Sequence, residues 1–187
     1  MEPAESIATR DKERTRRAII DAASRMFHTH GANVSLADIA AAAGVSKGAL
    51  THHFTTRSAL EEAILVDVSQ RFRDAVHERL DLSEDRPGRL LRAYIRTLTD
   101  DDAAARDVFS AGSLLLIIGS DQTGQEVLKA DAEKWRKAFD ADGIDSVLSL
   151  IIRYAAEGLA ASVGTPYLTA AELKAARARL LAMAEQD

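Results

Sequence analysis

Apolar residues recur every three or four positions along most of this chain, which is the spacing of helices that bury one face. The longest regular series predicts one helix from Arg57 to about Leu80 and contains Leu60, Ile64, Val68, Phe72 and Val76. Further series predict helices over about 89–98, 103–120, 123–139 and 144–163, and the capping-box sequence TAAE at 169–172 predicts the start of a last one. The pattern therefore predicts an all-α protein of about nine helices.

Two stretches depart from this simple pattern. The run Leu114–Ile118 is apolar all round, which predicts a buried segment. A run of this length is also compatible with a strand, but its alanine-containing flanks and helical neighbours favour a helix. Residues 1–9 show no periodicity, and we expect them to be mobile.

The stretch from Ser35 to Arg57 has the punctuation of two short helices. Ser35 is placed to cap the first helix, Gly44 to end it in a left-handed conformation, and Ser46 to cap a second helix from Lys47 to Phe54. Two helices joined in this way form a helix-turn-helix, whose second helix fits the major groove of DNA. For this stretch alone, an ordinary helical corner is the alternative.

Basic residues crowd the approach to the first predicted helix. They are Arg10, Lys12, Arg14, Arg16 and Arg17. These side chains are candidates for phosphate or minor-groove contacts, but interleaved acidic residues also fit a solvated charged face. The helix itself carries an apolar stripe that ends before Gly31, so it is expected to hold the other two helices in place.

Charge is distributed unevenly along the 187 residues. The net charge is −5, yet residues 1–57 hold eight Lys and Arg against six Asp and Glu, while the remainder holds sixteen against twenty-three. A mildly basic head on an acidic body suits a protein that touches phosphate at one end. There is no cysteine, no apolar run of membrane-spanning length and no signal-peptide core, so we expect a cytoplasmic protein that does not bind a membrane.

The sequence contains no recognisable catalytic set. It has no glycine-rich phosphate loop, no nucleophile–base motif and no metal-ligand spacing. The pairs His28/His30 and His52/His53 point in different directions on a helix, which argues against a metal site. We therefore expect neither an enzyme nor a cofactor or metal.

The segment IIDAASRMFHTHGANVSLADIAAAAGVSKGALTHHFTTRSALEEAIL resembles the DNA-binding domain of TetR-type (TetR/AcrR) transcriptional repressors, without a gap from about Thr15 to about Leu65. Two positions depart from the family pattern: Thr51 replaces the usual aromatic residue, and Arg57 replaces the usual lysine. A second segment, RYAAEGLAASVG, is weakly similar to the penultimate helix of such regulators. The resemblance implies a helix-turn-helix domain over 10–57 and a regulatory and dimerisation domain over 58–187.

Helix geometry assigns roles within the DNA-binding domain. Residues at the start of the recognition helix, with His52 one turn later, are expected to face the groove, and other polar residues are expected to meet backbone phosphates. The predicted DNA-binding residues are Ser35, Ser46, Lys47, Gly48, Ala49, Thr51, His52, His53 and Arg57.

The body is expected to bind an effector and to dimerise, as the resemblance implies. Large apolar and aromatic residues predict an apolar or aromatic small molecule, oriented by Arg153 or a tyrosine hydroxyl. The predicted effector residues are Tyr94, Leu98, Phe109, Leu116, Trp135, Phe139 and Tyr154. The predicted dimer residues on the last two helices are Leu148, Ile151, Ala155, Leu159, Leu173 and Leu180. In both sets, ordinary core packing within one chain is the alternative.

Together these features predict a ligand-responsive repressor that binds a palindromic operator on double-stranded DNA as a homodimer. A transcriptional activator of the same fold, or a helical adaptor without DNA affinity, is the alternative.

Overall fold

The computed structural model describes residues 4–100, 118 and 122–185, and no β-strand occurs among them. Eight α-helices are present in these ranges: α1 (Ala4–His30), α2 (Leu36–Ala42), α3 (Lys47–His53), α4 (Arg57–Glu78), α5 (Arg89–Thr99), α6 (Gln122–Asp140), α7 (Ser146–Ser162) and α8 (Ala170–Met183). A 3₁₀ turn at Gly31–Asn33 separates α1 from α2. The fold is therefore all-α, as predicted.

The described residues fall into two compact units. The first consists of residues 4–68, 118 and 122–128, and the second of residues 69–100 and 129–185. The functional division into a DNA-binding domain over 10–57 and a regulatory domain over 58–187 stays a prediction, since compactness alone defines neither function.

The first unit is built on one apolar core that joins α1 to α4. Ile19, Phe27, Ile39, Leu50 and Leu60 are all fully buried in it. Because each such side chain contributes about 1.5–3 kcal/mol on burial, the core fixes the angle between the two short helices.

Helix α1 starts earlier than the sequence suggests. Residues 4–9, which show no apolar periodicity, form the first turns of α1, and their mobility stays a prediction. No proline or glycine interrupts the chain from Ala4 to His30, and Arg14 pairs with Asp11 at 3.1 Å, one turn away. The charged residues that precede the buried part of α1 therefore belong to the same helix.

The second unit closes around a buried arginine. The guanidinium of Arg92, whose side chain is fully buried, donates to Glu84 at 3.0 Å and to the carbonyl oxygens of Pro87 at 2.9 Å and Ala184 at 2.7 Å. Gly88, next to Pro87, has a φ of +82°, and a Cβ at this position would lie 2.6 Å from the carbonyl oxygen of Ala184. This one side chain therefore joins the loop before α5 to the end of α8.

Helix α5 is capped by a residue far away in sequence. Gly88 has no side chain to offer, and the carboxylate of Asp142 accepts hydrogen bonds from the backbone of Leu90 at 2.8 Å and Leu91 at 2.9 Å. A negative charge at this end also complements the helix dipole. Since Asp142 lies between α6 and α7, the cap ties α5 to that turn.

The capping box predicted before the last helix is confirmed at Thr169 and Glu172. Of the apolar run at 114–118, only Ile118 is described, and it is helical and buried. The rest of the predicted helix at 103–120 lies outside the described residues.

Candidate DNA-binding surface and effector site

The helix-turn-helix has the capping that its sequence predicts. The hydroxyl of Ser35 accepts a hydrogen bond from the Asp38 backbone, and that of Ser46 accepts one from the Ala49 backbone, each at 3.1 Å. Gly44 has a φ of +69° and ends α2 in the left-handed conformation. These local signals set the start of α3.

The exposed face of α3 is small and polar. Lys47, Gly48, Thr51 and His52 are exposed, whereas Leu50 is completely buried in the core. Within the described part of the chain, a Cβ at Gly48 would meet only the Ser46 hydroxyl, at 3.8 Å, so packing there does not require glycine. The bare backbone is thus available for close approach by a large partner. Ala49 is half-buried beside it.

Two hydroxyls predicted to meet phosphates already have partners. Ser35 donates to the Asp38 carboxylate at 2.6 Å, and Thr51 lies 3.1 Å from the carbonyl oxygen of Lys47 and 3.0 Å from that of Gly48. All these groups are exposed, so their phosphate roles stay predictions.

Arg57 is held within the first unit. Its guanidinium donates to the carbonyl oxygen of Ala32 at 2.6 Å, to that of Val34, and to Glu61 at 2.7 Å. It also lies 5.0 Å from the ring centre of Phe27. The assignment of Arg57 to phosphate stays a prediction, but these contacts favour a structural role.

The structure brings α1 beside the end of α3, which the sequence does not reveal. The Arg16 guanidinium lies 5.2 Å from the ring centre of Phe54, and His53 is half-buried next to it in sequence. Burial lowers the pKa of His53, and the neighbouring side chains of His52, Lys12 and Arg16 lower it further. Periodicity places these residues only on their own helices, so no local signal pairs them.

Four aromatic side chains form a cluster in the second unit, which we call the aromatic cluster: Phe72, Tyr94, Trp135 and Phe139. The measured ring-centre separations lie between 5.3 and 5.5 Å, and Trp135 stacks on Phe139 with an interplanar angle of 20°. Three of the predicted effector residues are therefore neighbours, and Phe72 is a member that the prediction missed.

Helix α7 places one basic side chain, Arg153, and one acidic side chain, Glu157, against the aromatic cluster. The guanidinium of Arg153 lies 4.5 Å from the ring centre of Phe139, and its Nε has no hydrogen-bond partner among the described residues. Tyr94 donates to Glu157 at 2.7 Å. Burial and this carboxylate raise the pKa of Tyr94 well above its ordinary value, so the phenol stays protonated and remains a donor. The sequence analysis did not predict Glu157. Its position four residues after Arg153 on an apolar helix nevertheless indicates that the two charged side chains lie on the same face.

The other predicted effector residues are dispersed. Leu98 is buried in the core of the second unit, whereas Tyr154 is 65% exposed and lies outside the aromatic cluster. Phe109 and Leu116 lie outside the described residues. A half-open groove of about 590 Å³ also occurs in the second unit, but the predicted effector residues are not among its described lining, which includes Thr99 and Arg177.

The predicted dimer residues divide between core and surface. Leu173 and Leu180 are only 9% and 7% exposed, because they pack into their own unit. Leu148 and Leu159 are half-buried, whereas Ile151 and Ala155 are exposed. Leu180→Glu would therefore place a charge in the core of the subunit and destabilise the subunit itself.

Helix α7 also exposes apolar side chains that the dimer prediction did not include. They are Val147, Leu150 and Tyr154, which lie with Ile151 at helical spacing on one face. Their exposed fractions of 42–65% are high for such large apolar groups.

Over the described ranges, no cluster of three or more His, Asp or Glu side chains is arranged to hold a metal ion. Nor is any helix in those ranges long and apolar enough to cross a membrane.

The fold and the exposed α3 define a helix-turn-helix protein with a helical body. Two family models match the chain: "Bacterial regulatory proteins, tetR family" over residues 19–64, and "Tetracyclin repressor-like, C-terminal domain" over residues 88–185. The chain belongs to the TetR family of bacterial regulators. The two models together match residues from both units of the described chain.

Similar proteins agree with this assignment. The HTH-type transcriptional regulator TtgR of Pseudomonas putida is 40% identical over 72 residues, which are 38% of this chain and 30% of TtgR. The chain thus spans only 30% of the length of that curated relative.

Solved structures extend the likeness over most of the chain. A putative TetR-family regulator from Rhodococcus sp. has a TM-score of 0.74 at 22% identity, covering 91% of this chain and 97% of that one, which shows the shared fold. The multidrug binding protein EbrR, complexed with malachite green, has a TM-score of 0.65 at 27% identity, covering 90% and 96%.

Proposed function

We propose that this protein is a cytoplasmic, ligand-responsive repressor that binds a palindromic operator as a homodimer and leaves it when a small apolar or aromatic effector binds. The observation that carries the DNA-binding part is α3, whose exposed face presents Lys47 beside the bare backbone of Gly48. Lys47 can donate to guanine O6 or N7, while Thr51 and His52 lie one turn further along. The family membership supports this interpretation.

A two-fold dimer is supported by the apolar face of α7. Ile151 and Tyr154 are 55% and 65% exposed, and a second copy would cover the same face reciprocally. Two recognition helices would then address half-sites about 34–36 Å apart, or a multiple of that distance.

An effector site at the aromatic cluster is supported by its chemistry. Aromatic rings supply apolar contact, while Arg153 and the Tyr94–Glu157 pair supply polar groups that would orient a ligand. The structural relative EbrR has been crystallised in complex with the aromatic dyes malachite green and ethidium, which is the class of ligand proposed here.

DNA binding is tested with a fragment upstream of the protein's own gene, in an electrophoretic shift assay against random DNA. Lys47→Ala should weaken specific binding by about 1–3 kcal/mol if Lys47 reads a guanine. Lys134→Ala, which removes an exposed lysine from α6, is the charge-matched control and should have no effect. Unchanged binding by Lys47→Ala would contradict the assigned groove face, and transcription that rises with the protein would identify an activator.

The effector site is tested with malachite green as the probe. Binding at the aromatic cluster should change the emission of Trp135, the only tryptophan, and should release the operator. Tyr94→Phe should alter the dye affinity, while Tyr167→Phe, at a tyrosine that is 90% exposed, should not. Dye binding without any change in Trp135 emission would place the ligand elsewhere.

A further inference from the structure

The half-open groove of the second unit lies between the end of α5, the turn after α7 and the first half of α8. Its lining includes Thr99 from α5, Val163 from the turn and Leu173 from α8. Its volume of about 590 Å³ is that of a small-molecule site. No member of the aromatic cluster belongs to its described lining, so the groove is a separate place for a ligand.

The apolar part of the described lining is aliphatic. Val163 and Leu168 are half-buried and Leu173 is 9% exposed, and no aromatic side chain occurs among the described lining residues. Gly164, with a φ of +79°, turns the chain directly after Val163. Because burial of each methylene group favours binding, such a floor suits a hydrocarbon chain.

Two basic side chains line the groove on the α8 side. Lys174 and Arg177 are three residues apart and are therefore neighbours on one face of the helix. Arg177 pairs with Asp100 at 2.5 Å, and Asp100 is shared with Arg79 at 3.5 Å. Lys174 is exposed and has no acidic partner among the described residues.

The described lining contains no acidic side chain to balance these charges. Glu172 is close in sequence, but its carboxylate accepts hydrogen bonds from the backbone of Thr169 at 2.9 Å and from the Thr169 hydroxyl at 2.7 Å. That carboxylate is therefore engaged in the capping box at the start of α8.

We propose that this groove binds a medium-chain aliphatic carboxylate as a second ligand site of the body. The carboxylate would accept charge-assisted hydrogen bonds from Lys174 and Arg177. The hydrocarbon chain would lie on the aliphatic floor. The proposal requires neither an effector at the aromatic cluster nor binding of α3 to DNA.

The test titrates octanoate into the full-length protein by isothermal titration calorimetry. Octanoate should bind saturably at millimolar concentrations or below. Octanol, which has the same chain length without the charge, should bind about tenfold more weakly, because it loses the charged hydrogen bonds. Hexanoate should bind about fivefold more weakly, because it lacks two methylene groups and a half-open groove buries each only in part.

Variants of α8 locate the carboxylate. Lys174→Gln should lower octanoate affinity about fivefold, since it removes one exposed charge, and Lys174→Glu should lower it further. Arg179→Gln is the matched control, because Arg179 is an exposed arginine of the same helix outside the described lining. It should bind octanoate like wild type, and so should Tyr94→Phe.

Absence of octanoate binding to wild type would overturn the proposal. Equal affinity for octanol, or wild-type affinity in Lys174→Gln, would also overturn it. Octanoate that competes with malachite green and loses affinity in Tyr94→Phe would place the carboxylate at the aromatic cluster. That result would overturn the second site while supporting the effector site of the proposed function.

Discussion

Arg57 offers a sharp test of the DNA-binding domain, because two roles predict opposite results. Its guanidinium contacts the carbonyl oxygens of Ala32 and Val34, the carboxylate of Glu61 and the ring of Phe27. A phosphate ligand would change DNA binding when removed. A structural brace between α4 and the turn after α1 would instead change stability.

The magnitude follows from the interactions that Arg57→Ala removes. Each charged hydrogen bond to a carbonyl contributes about 1.5 kcal/mol, the Glu61 pair about 0.5 kcal/mol, and the ring contact about 0.5–1 kcal/mol. Because the side chain is 36% exposed, water partly replaces these bonds. We therefore expect the free energy of unfolding to fall by about 2–3 kcal/mol.

The assay combines urea unfolding with the salt dependence of operator binding. At a temperature where Arg57→Ala stays folded, the slope of log affinity against log salt should match wild type. Loss of a phosphate contact would lower it by about one unit per subunit, or about two units for the dimer. Arg25→Ala, an exposed arginine on α1, should change neither quantity. Wild-type stability together with a reduced salt slope would refute the brace and restore the phosphate role.

Two further predictions concern the second unit. Ile151→Glu should give monomers in sedimentation, because it puts a charge into the proposed apolar interface. The control Leu82→Glu, at a leucine that is 82% exposed, should remain dimeric. A dimeric Ile151→Glu protein would exclude this face of α7 as the interface. Arg92→Ala should lower the free energy of unfolding in urea by about 3–5 kcal/mol, because it leaves Glu84 and two carbonyl oxygens without their buried partner. Arg86→Ala, whose half-exposed side chain also pairs with Glu84, should change stability much less, and an equal loss would argue against the special role of Arg92.

Features determined by neighbouring residues were predictable from the sequence. The caps at Ser35 and Ser46, the turn at Gly44 and the capping box at Thr169 all depend on residues within one helical turn. The all-helical fold follows from periodicity in the same way. The structure confirms each of these.

Contacts between distant residues were not predictable in this way. Asp142 caps a helix that starts more than fifty positions earlier, and Arg16 meets Phe54 through the packing of α1 on α3. The stripe that contains Leu180 is equally compatible with its own core and with a partner's, since periodicity identifies an apolar face but not what covers it. Tyr154 is 65% exposed and lies outside the aromatic cluster, and its effector role stays a prediction.

The short recognition helix has a consequence for the information content of the operator. Gly48 offers base edges only backbone, and Ala49 only a methyl group, so Lys47 is the one long side chain in the first turn of α3. Few base pairs can then be specified by hydrogen bonds, because each bidentate contact needs a long polar side chain. In the proposed complex of a dimer with a palindromic operator, more of the discrimination must come from how easily the DNA bends or narrows between the half-sites. Operators for this protein should therefore tolerate base changes that preserve DNA stiffness and reject some that alter it without touching a contacted base.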